Sequence, residues 1–265
     1  MRLRAGLFLA LALSFGASAD TSAPEGAAPR MSAPEVLTRA QAAITAAGTI
    51  RASMEMVSSY PSEFSSTIDI MASPAGDERA EIVTTINTNS FRSLQVISGG
   101  VLWHEQATPV GPIVGRIDVS RVEEELGARR QEYAAPGVIG SNFVFDLAGV
   151  ARLVEFDRAE VSGPDGEEVH VLSGSLRDEY TSGDDALPAG VIDFYSVVRL
   201  RIDARTFLPR RIEMGRDGGR PLLAIDITDI EVNFTPGEDA FEYTPPDGAQ
   251  VVDRTDWAIA ELTGG

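Results

Sequence analysis

Cysteine is missing from the 265 residues, lysine is missing as well, and histidine occurs only at His104 and His170. The first absence rules out disulfides, thiolate metal sites, a cysteine nucleophile and lipid attachment through an N-terminal cysteine. Two isolated histidines leave little for a zinc enzyme. His104-Glu105 has no second histidine at the spacing of a helical zinc motif and reads as a surface pair at a strand end. With no lysine, all 22 basic residues are arginine; 40 acidic residues outnumber them and set the formal charge at −18. Such a chain is not expected to bind nucleic acid, whose affinity comes largely from basic groups that neutralise phosphates.

Chemistry-bearing motifs are as scarce. There is no Gly-x-Ser-x-Gly elbow and no phosphate-binding loop, and the glycine-rich residues 215–219 read as a hairpin turn. Glu123-Glu124-Glu125 and Asp184-Asp185 lack the alternating oxygen ligands and closing glutamate of a calcium loop, so they read as a solvated face and a loop. Acidic residues are everywhere, but nothing singles out a pair for glycoside hydrolysis. No catalytic residue, metal or cofactor is expected.

What is present begins with an address. Arg2 and Arg4 precede an apolar stretch, residues 5–15, too short to span a bilayer, and Ala17-Ser18-Ala19 offers a signal-peptidase pattern. Residues 1–19 therefore read as a signal peptide, and the mature protein is expected to be soluble and periplasmic. Residues 20–33, rich in Ala, Pro, Ser and Thr, read as a flexible linker. Ser32 is a plausible N-cap for a helix with Pro34 in its first turn. Val36, Leu37, Ala40, Ala43, Ile44 and Ala47 then recur at helical spacing, and Gly48 stops the run.

Beyond Gly48 the period falls to two. Ala52, Met54 and Met56 alternate with polar residues, as do Phe64, Ile68 and Ile70; Ile82 and Ile86, then Leu94 and Val96, continue the pattern to a Gly99-Gly100 turn. Longer strands are predicted over 191–203, 208–216 and 220–233, with hairpins at Asp165-Gly166 and Asp217-Gly218-Gly219. On one parity these carry Ile192, Phe194, Val198, Leu200, Ile202, Leu208, Ile212 and Met214, so one face of a large antiparallel sheet is oily and the other wet. Near Thr228-Asp229 the apolar parity switches, which predicts a bulge. Residues 120–130 read as a short polar helix with Ser120 and Glu123 as a capping box, and 141–156 as an amphipathic helix running into a strand.

The expected class is α+β, mainly β: one domain over residues 34–253, many antiparallel strands in up-and-down order with a few helices on one face, and a C-terminal tail over 254–265. Twist would make the oily face concave, lined by Met54, Met56, Phe64, Ile68, Ile70, Ile82, Ile86, Leu94, Phe194, Val198, Leu200, Ile212 and Met214. Two readings of that face are open: an ordinary core closed by the helices, or a hollow that takes a guest.

Several runs then resemble one family. Val96-Ile97-Ser98-Gly99-Gly100-Val101-Leu102-Trp103, preceded by Phe91-Arg92, resembles a strand–turn–strand segment of the LolA/LolB superfamily, the periplasmic carriers of outer-membrane lipoproteins. Residues 202–212, Asp203-Ala204-Arg205-Thr206-Phe207-Leu208-Pro209-Arg210 among them, resemble its late hairpin. Asn233 with residues 241–248 resembles its closing segment. The resemblance implies an unclosed antiparallel β-barrel with helices as a lid, holding acyl chains of lipoproteins or lipids, exchanging with membrane receptor proteins, and working as a monomer. The thirteen residues above would then be ligand contacts. Where the family carries the Arg-Pro associated with lid closure, this chain has Asn87–Asn89. The same fold in envelope-stress regulators implies an alternative, a sensor domain that binds a protein partner or lipid signal.

Overall fold

The computed structural model describes residues 31–59, 63–108, 111–126, 145, 147–164, 167–181, 192, 196–216 and 218–263. The first element, α1 (Ala33–Ala46), starts where predicted: the Ser32 backbone N–H and hydroxyl both donate to Glu35 Oε2 at 2.8 Å, and Pro34 sits in the first turn. These bonds, the backbone one foremost, hold the Glu35 carboxyl below its ordinary range. At the other end Gly48 donates its N–H to Asn233 Oδ1 at 2.7 Å, so the helix stop is tied to a residue 185 positions later.

Among the described residues twelve strands form one sheet. They are β1 (Ile50–Ser58), β2 (Phe64–Ala72), β3 (Glu78–Ile86), β4 (Asn89–Ser98), β5 (Val101–Gln106), β6 (Ile113–Asp118), β7 (Val154–Ser162), β8 (Val169–Leu176), β9 (Val197–Asp203), β10 (Pro209–Gly215), β11 (Pro221–Val232) and β12 (Gln250–Asp253). Their spatial order is β12-β6-β5-β4-β3-β2-β1-β11-β10-β9-β8-β7. Two up-and-down meanders are thus joined where β1 pairs with β11. The order starts at β12 and ends at β7, so the curled sheet is the unclosed half-barrel expected. One pairing departs from the antiparallel expectation: β12 runs parallel to β6, because the long segment after β11 returns it from the far end.

The period-two pattern holds because cross-strand partners share a face. Ala52 faces Ile70, Met54 faces Ile68 and Ile227, and Ile212 lies between Leu200 and Ile225, all on the inner face. The bulge is where the parity switch puts it: the β1–β11 register shifts between Arg51 and Ser53, and Asp229 takes φ 49°. Gly99 and Gly100, at φ 56° and 78°, turn β4 into β5.

Helices lie on the inner face over one half of the sheet. Val36 and Ala40 of α1, with Leu147, Val150 and Leu153 of α3 (Leu147–Leu153), bury against Met54, Ile70, Leu172, Val198, Leu200, Ile202, Ile212 and Met214. Elsewhere α2 (Val119–Leu126) packs on α5 (Thr255–Thr263), and both touch β6. A single turn, α4 (Asp178–Thr181), follows β8.

Four details differ from the sequence reading. Asp118, not Ser120, caps α2, its carboxylate accepting the Arg121 N–H at 3.0 Å. The strand predicted from residue 191 begins at Val197. The predicted C-terminal tail folds as α5, with Thr255 and Ala258 buried against the domain. The strand after Leu208 begins at Pro209, whose missing N–H suits a strand's first position. The Asp165-Gly166 turn and the signal peptide lie outside the described residues. Among those residues no helix is long and apolar enough to cross a membrane.

Candidate ligand-binding face

The inner face divides in two. Over β8–β11 and the α1 end of β1 and β2 it is core: Met54, Ile70, Val198, Leu200, Ile212 and Met214 are each at most 2% exposed, under α1 and α3. That part of the predicted lining is filled by the chain's own side chains. Toward the other ends of β1–β4 the cover thins. Ile68 pairs with Ile82, Ser66 with Thr84 and Phe64 with Ile86, while Met56 flanks Ser66 and Phe91 flanks Thr84. Met56, Phe64, Ile68 and Ile82 are half-buried, Ile86 is 38% exposed and Phe91 is 44% exposed. Together with Leu223 opposite Ser58, they make an apolar strip open to solvent at its outer end. Inside it the Ser66 and Thr84 hydroxyls bond each other at 2.8 Å, so neither leaves a polar group unmet on an oily floor.

Of the predicted lining, five residues therefore belong to this strip: Met56, Phe64, Ile68, Ile82 and Ile86. Six are core. Leu94 is corrected outright: it faces Glu81 and Glu105 on the outer side of the sheet, next to buried Val96. Apolar residues occupy both parities of β4, which left its face ambiguous; the two-residue turn Asn87-Thr88, pairing Ile86 with Asn89, sets the register. The same register brings in Phe91, which parity reasoning had left out. Phe194 lies outside the described residues.

Around β1–β3 and the end of β11 the outer face carries charged side chains. A depression of about 480 Å³ there is bordered by Arg51, Ser53, Asp69, Arg79, Glu81, Asp229 and Glu231; within it Arg51 pairs with Glu231, and Arg79 with Glu81 at 3.2 Å. In the late hairpin Asp203 accepts from the Arg205 and Thr206 N–H groups, the Thr206 hydroxyl and Arg210. Burial alone would raise this carboxyl; those hydrogen bonds outweigh it and bring its pKa to about 2. The motif thus stiffens a turn and is not free to act on a ligand.

No protein-family model matches the chain and no curated protein matches it. Solved structures do. An uncharacterized conserved protein from Thermus thermophilus is 14% identical, with a TM-score of 0.50 over 84% of this chain and 99% of that one. MucB is 17% identical, with a TM-score of 0.46 over 83% of this chain and 65% of MucB. It is also known in complex with MucA from Pseudomonas aeruginosa. LolA superfamily protein NE2245 from Nitrosomonas europaea is 14% identical, with a TM-score of 0.32 over 80% of this chain and 98% of that one. At these identities the likeness concerns the fold alone.

Proposed function

We propose that the chain binds an acylated ligand along the strip formed by Met56, Phe64, Ile68, Ile82, Ile86 and Phe91 and carries it through the periplasm, acting by binding and not by catalysis. A lipoprotein is the cargo that the sequence resemblance implies. The observation that carries the reading is an exposed apolar floor beside an inner-face core that is tightly filled under α1 and α3. Exposed aromatic and branched side chains side by side on a sheet offer a surface that another molecule can cover.

The magnitudes suit a carrier. A sixteen-carbon chain represents about 12 kcal/mol of apolar exposure in water, so it does not leave a membrane unshielded. The strip spans three strand spacings and four residues along a strand, about 14 Å by 13 Å. Covering it from one side removes on the order of 180 Å² from each partner, about 9 kcal/mol, against at least about 4 kcal/mol of association cost. The difference, at most about 5 kcal/mol, allows affinity no tighter than between millimolar and micromolar. Such a hold retains cargo and still releases it to a receptor.

Uptake of the neutral fluorescent probe N-phenyl-1-naphthylamine tests this. Ile82→Asp and Ile86→Asp should abolish uptake while the far-ultraviolet circular dichroism stays native. Unchanged uptake in both folded variants would sink the assignment. Stoichiometric capture of a protein in place of lipid, seen by native mass spectrometry, would favour the sensor reading instead.

A further inference from the structure

Across β4, β5 and β6 the inner face changes character. Gln95, His104 and Gly115 continue the row that starts at Ile70 and Ala80, and Ser93 sits directly beside Ile82. A polar patch therefore abuts the apolar strip, with His104 about 10 Å, two strand spacings, from β3.

Arg254 reaches into that patch. A Cβ placed on Gly115 would meet Arg254 Cδ at 3.5 Å and Nε at 3.6 Å, so the arginine stem lies across Gly115 on the side His104 faces. Glycine at 115 leaves the room; a longer side chain there would compete for the same space. Burial first, and the Arg254 charge second, hold His104 below its ordinary 6.5, which places the two groups within electrostatic reach.

Neither side chain has a hydrogen-bond or ion-pair partner among the described residues. Arg51, Arg79, Arg116 and Arg211, by contrast, each face a carboxylate. A guanidinium lying on a face beside a part-buried imidazole, with no carboxylate of its own, matches a phosphate or carboxylate in charge and in donors.

We propose that Arg254 and His104 receive the anionic headgroup, a phosphate or carboxylate, of an acyl amphiphile whose chain lies on the neighbouring strip. The inference rests on acyl binding by that strip and adds which end of the ligand points where. The guanidinium supplies the charge and the imidazole N–H a second donor.

Calorimetry on the full chain with dodecyl phosphate, dodecanol and inorganic phosphate tests it, with N-phenyl-1-naphthylamine uptake reporting the strip alone. Dodecyl phosphate should bind about tenfold more tightly than dodecanol. Arg254→Gln should remove that advantage, Arg254→Lys should keep part of it, and His104→Gln should reduce it, all with native probe uptake. Equal affinity of native and Arg254→Gln proteins for dodecyl phosphate overturns the headgroup site and leaves acyl binding standing. Inorganic phosphate binding as tightly as dodecyl phosphate overturns it in favour of a free-anion site. Absence of probe uptake by the native chain removes the acyl reading and the headgroup site together.

Discussion

His170 and Phe207 stack ring on ring, centroids 5.6 Å apart and planes 21° apart, and the Arg39 guanidinium of α1 lies over the Phe207 ring at 5.5 Å from its centroid. Phe207 holds φ 58°, a left-handed conformation costly for a large side chain. The late hairpin thus presents an aromatic plate to the helix that covers the core, and His170, only 6% exposed, sits beneath it with Nε2 unbonded.

That burial predicts acid sensitivity. Burial, and then the Arg39 charge, lower the His170 pKa from 6.5, while Glu168 opposes them. Below pH 6.5 the unfolded chain takes up a proton that the folded chain refuses, so stability falls as pH drops through the window under 6.5. Urea unfolding at about pH 5 and about pH 8 should show the loss, and His170→Leu should flatten it. An unchanged slope in the variant would assign the acid sensitivity to other groups.

Asp203 depends on pH with the same sign, in a more acid window. Its pKa falls from 3.8 to about 2 on folding. It therefore contributes stability that is complete above pH 3.8 and disappears as pH falls through about 2. The side chain is only 17% exposed, so the shift is worth about 2 kcal/mol. Asp203→Asn should lower the unfolding free energy measured in urea at neutral pH by that amount and leave the proteins nearly equal near pH 2.

Gly174 marks a backbone crossing. A Cβ there would stand 2.3 Å from the Glu155 carbonyl oxygen and 2.9 Å from Phe156 Cα, at the register shift between β7 and β8. Neither contact belongs to a flexible side chain, so the strands must part. Gly174→Ala should destabilise by about 1–3 kcal/mol; a thermal midpoint within a degree or so of native would refute the contact.

Strand faces were legible wherever one parity carried most of the apolar residues, as in β1, β2, β9 and β10, because burial enforces the alternation. They were not legible in β4, where Leu94 and Val96 on one parity compete with Phe91 and Ile97 on the other. There the hairpin turn decides. Asn87, in the place where the resembling family carries arginine, takes φ 56° in that turn, a conformation asparagine tolerates far better than most side chains. The extent of the helical cover was hidden for a different reason. Ala33, Val36 and Ala40 reveal that α1 is apolar on one side, but the patch it covers depends on contacts with α3 and β7, more than a hundred residues away.

The division of the inner face makes a contrasting pair of substitutions decisive. Leu200 is 1% exposed between Leu172 and Ile212, and Leu200→Ala should cost about 2–5 kcal/mol through the cavity it opens. What remains folded should bind N-phenyl-1-naphthylamine as the native chain does, because the removed atoms lie under α1 and α3 and not on the strip. Ile86→Ser should do the reverse. Its side chain already meets water at the β3–β4 turn, so its loss should move the thermal midpoint little while weakening probe uptake severalfold. If Leu200→Ala weakened uptake at full folding, or Ile86→Ser left it intact, the ligand would lie beneath the helices and the boundary drawn between core and strip would be misplaced.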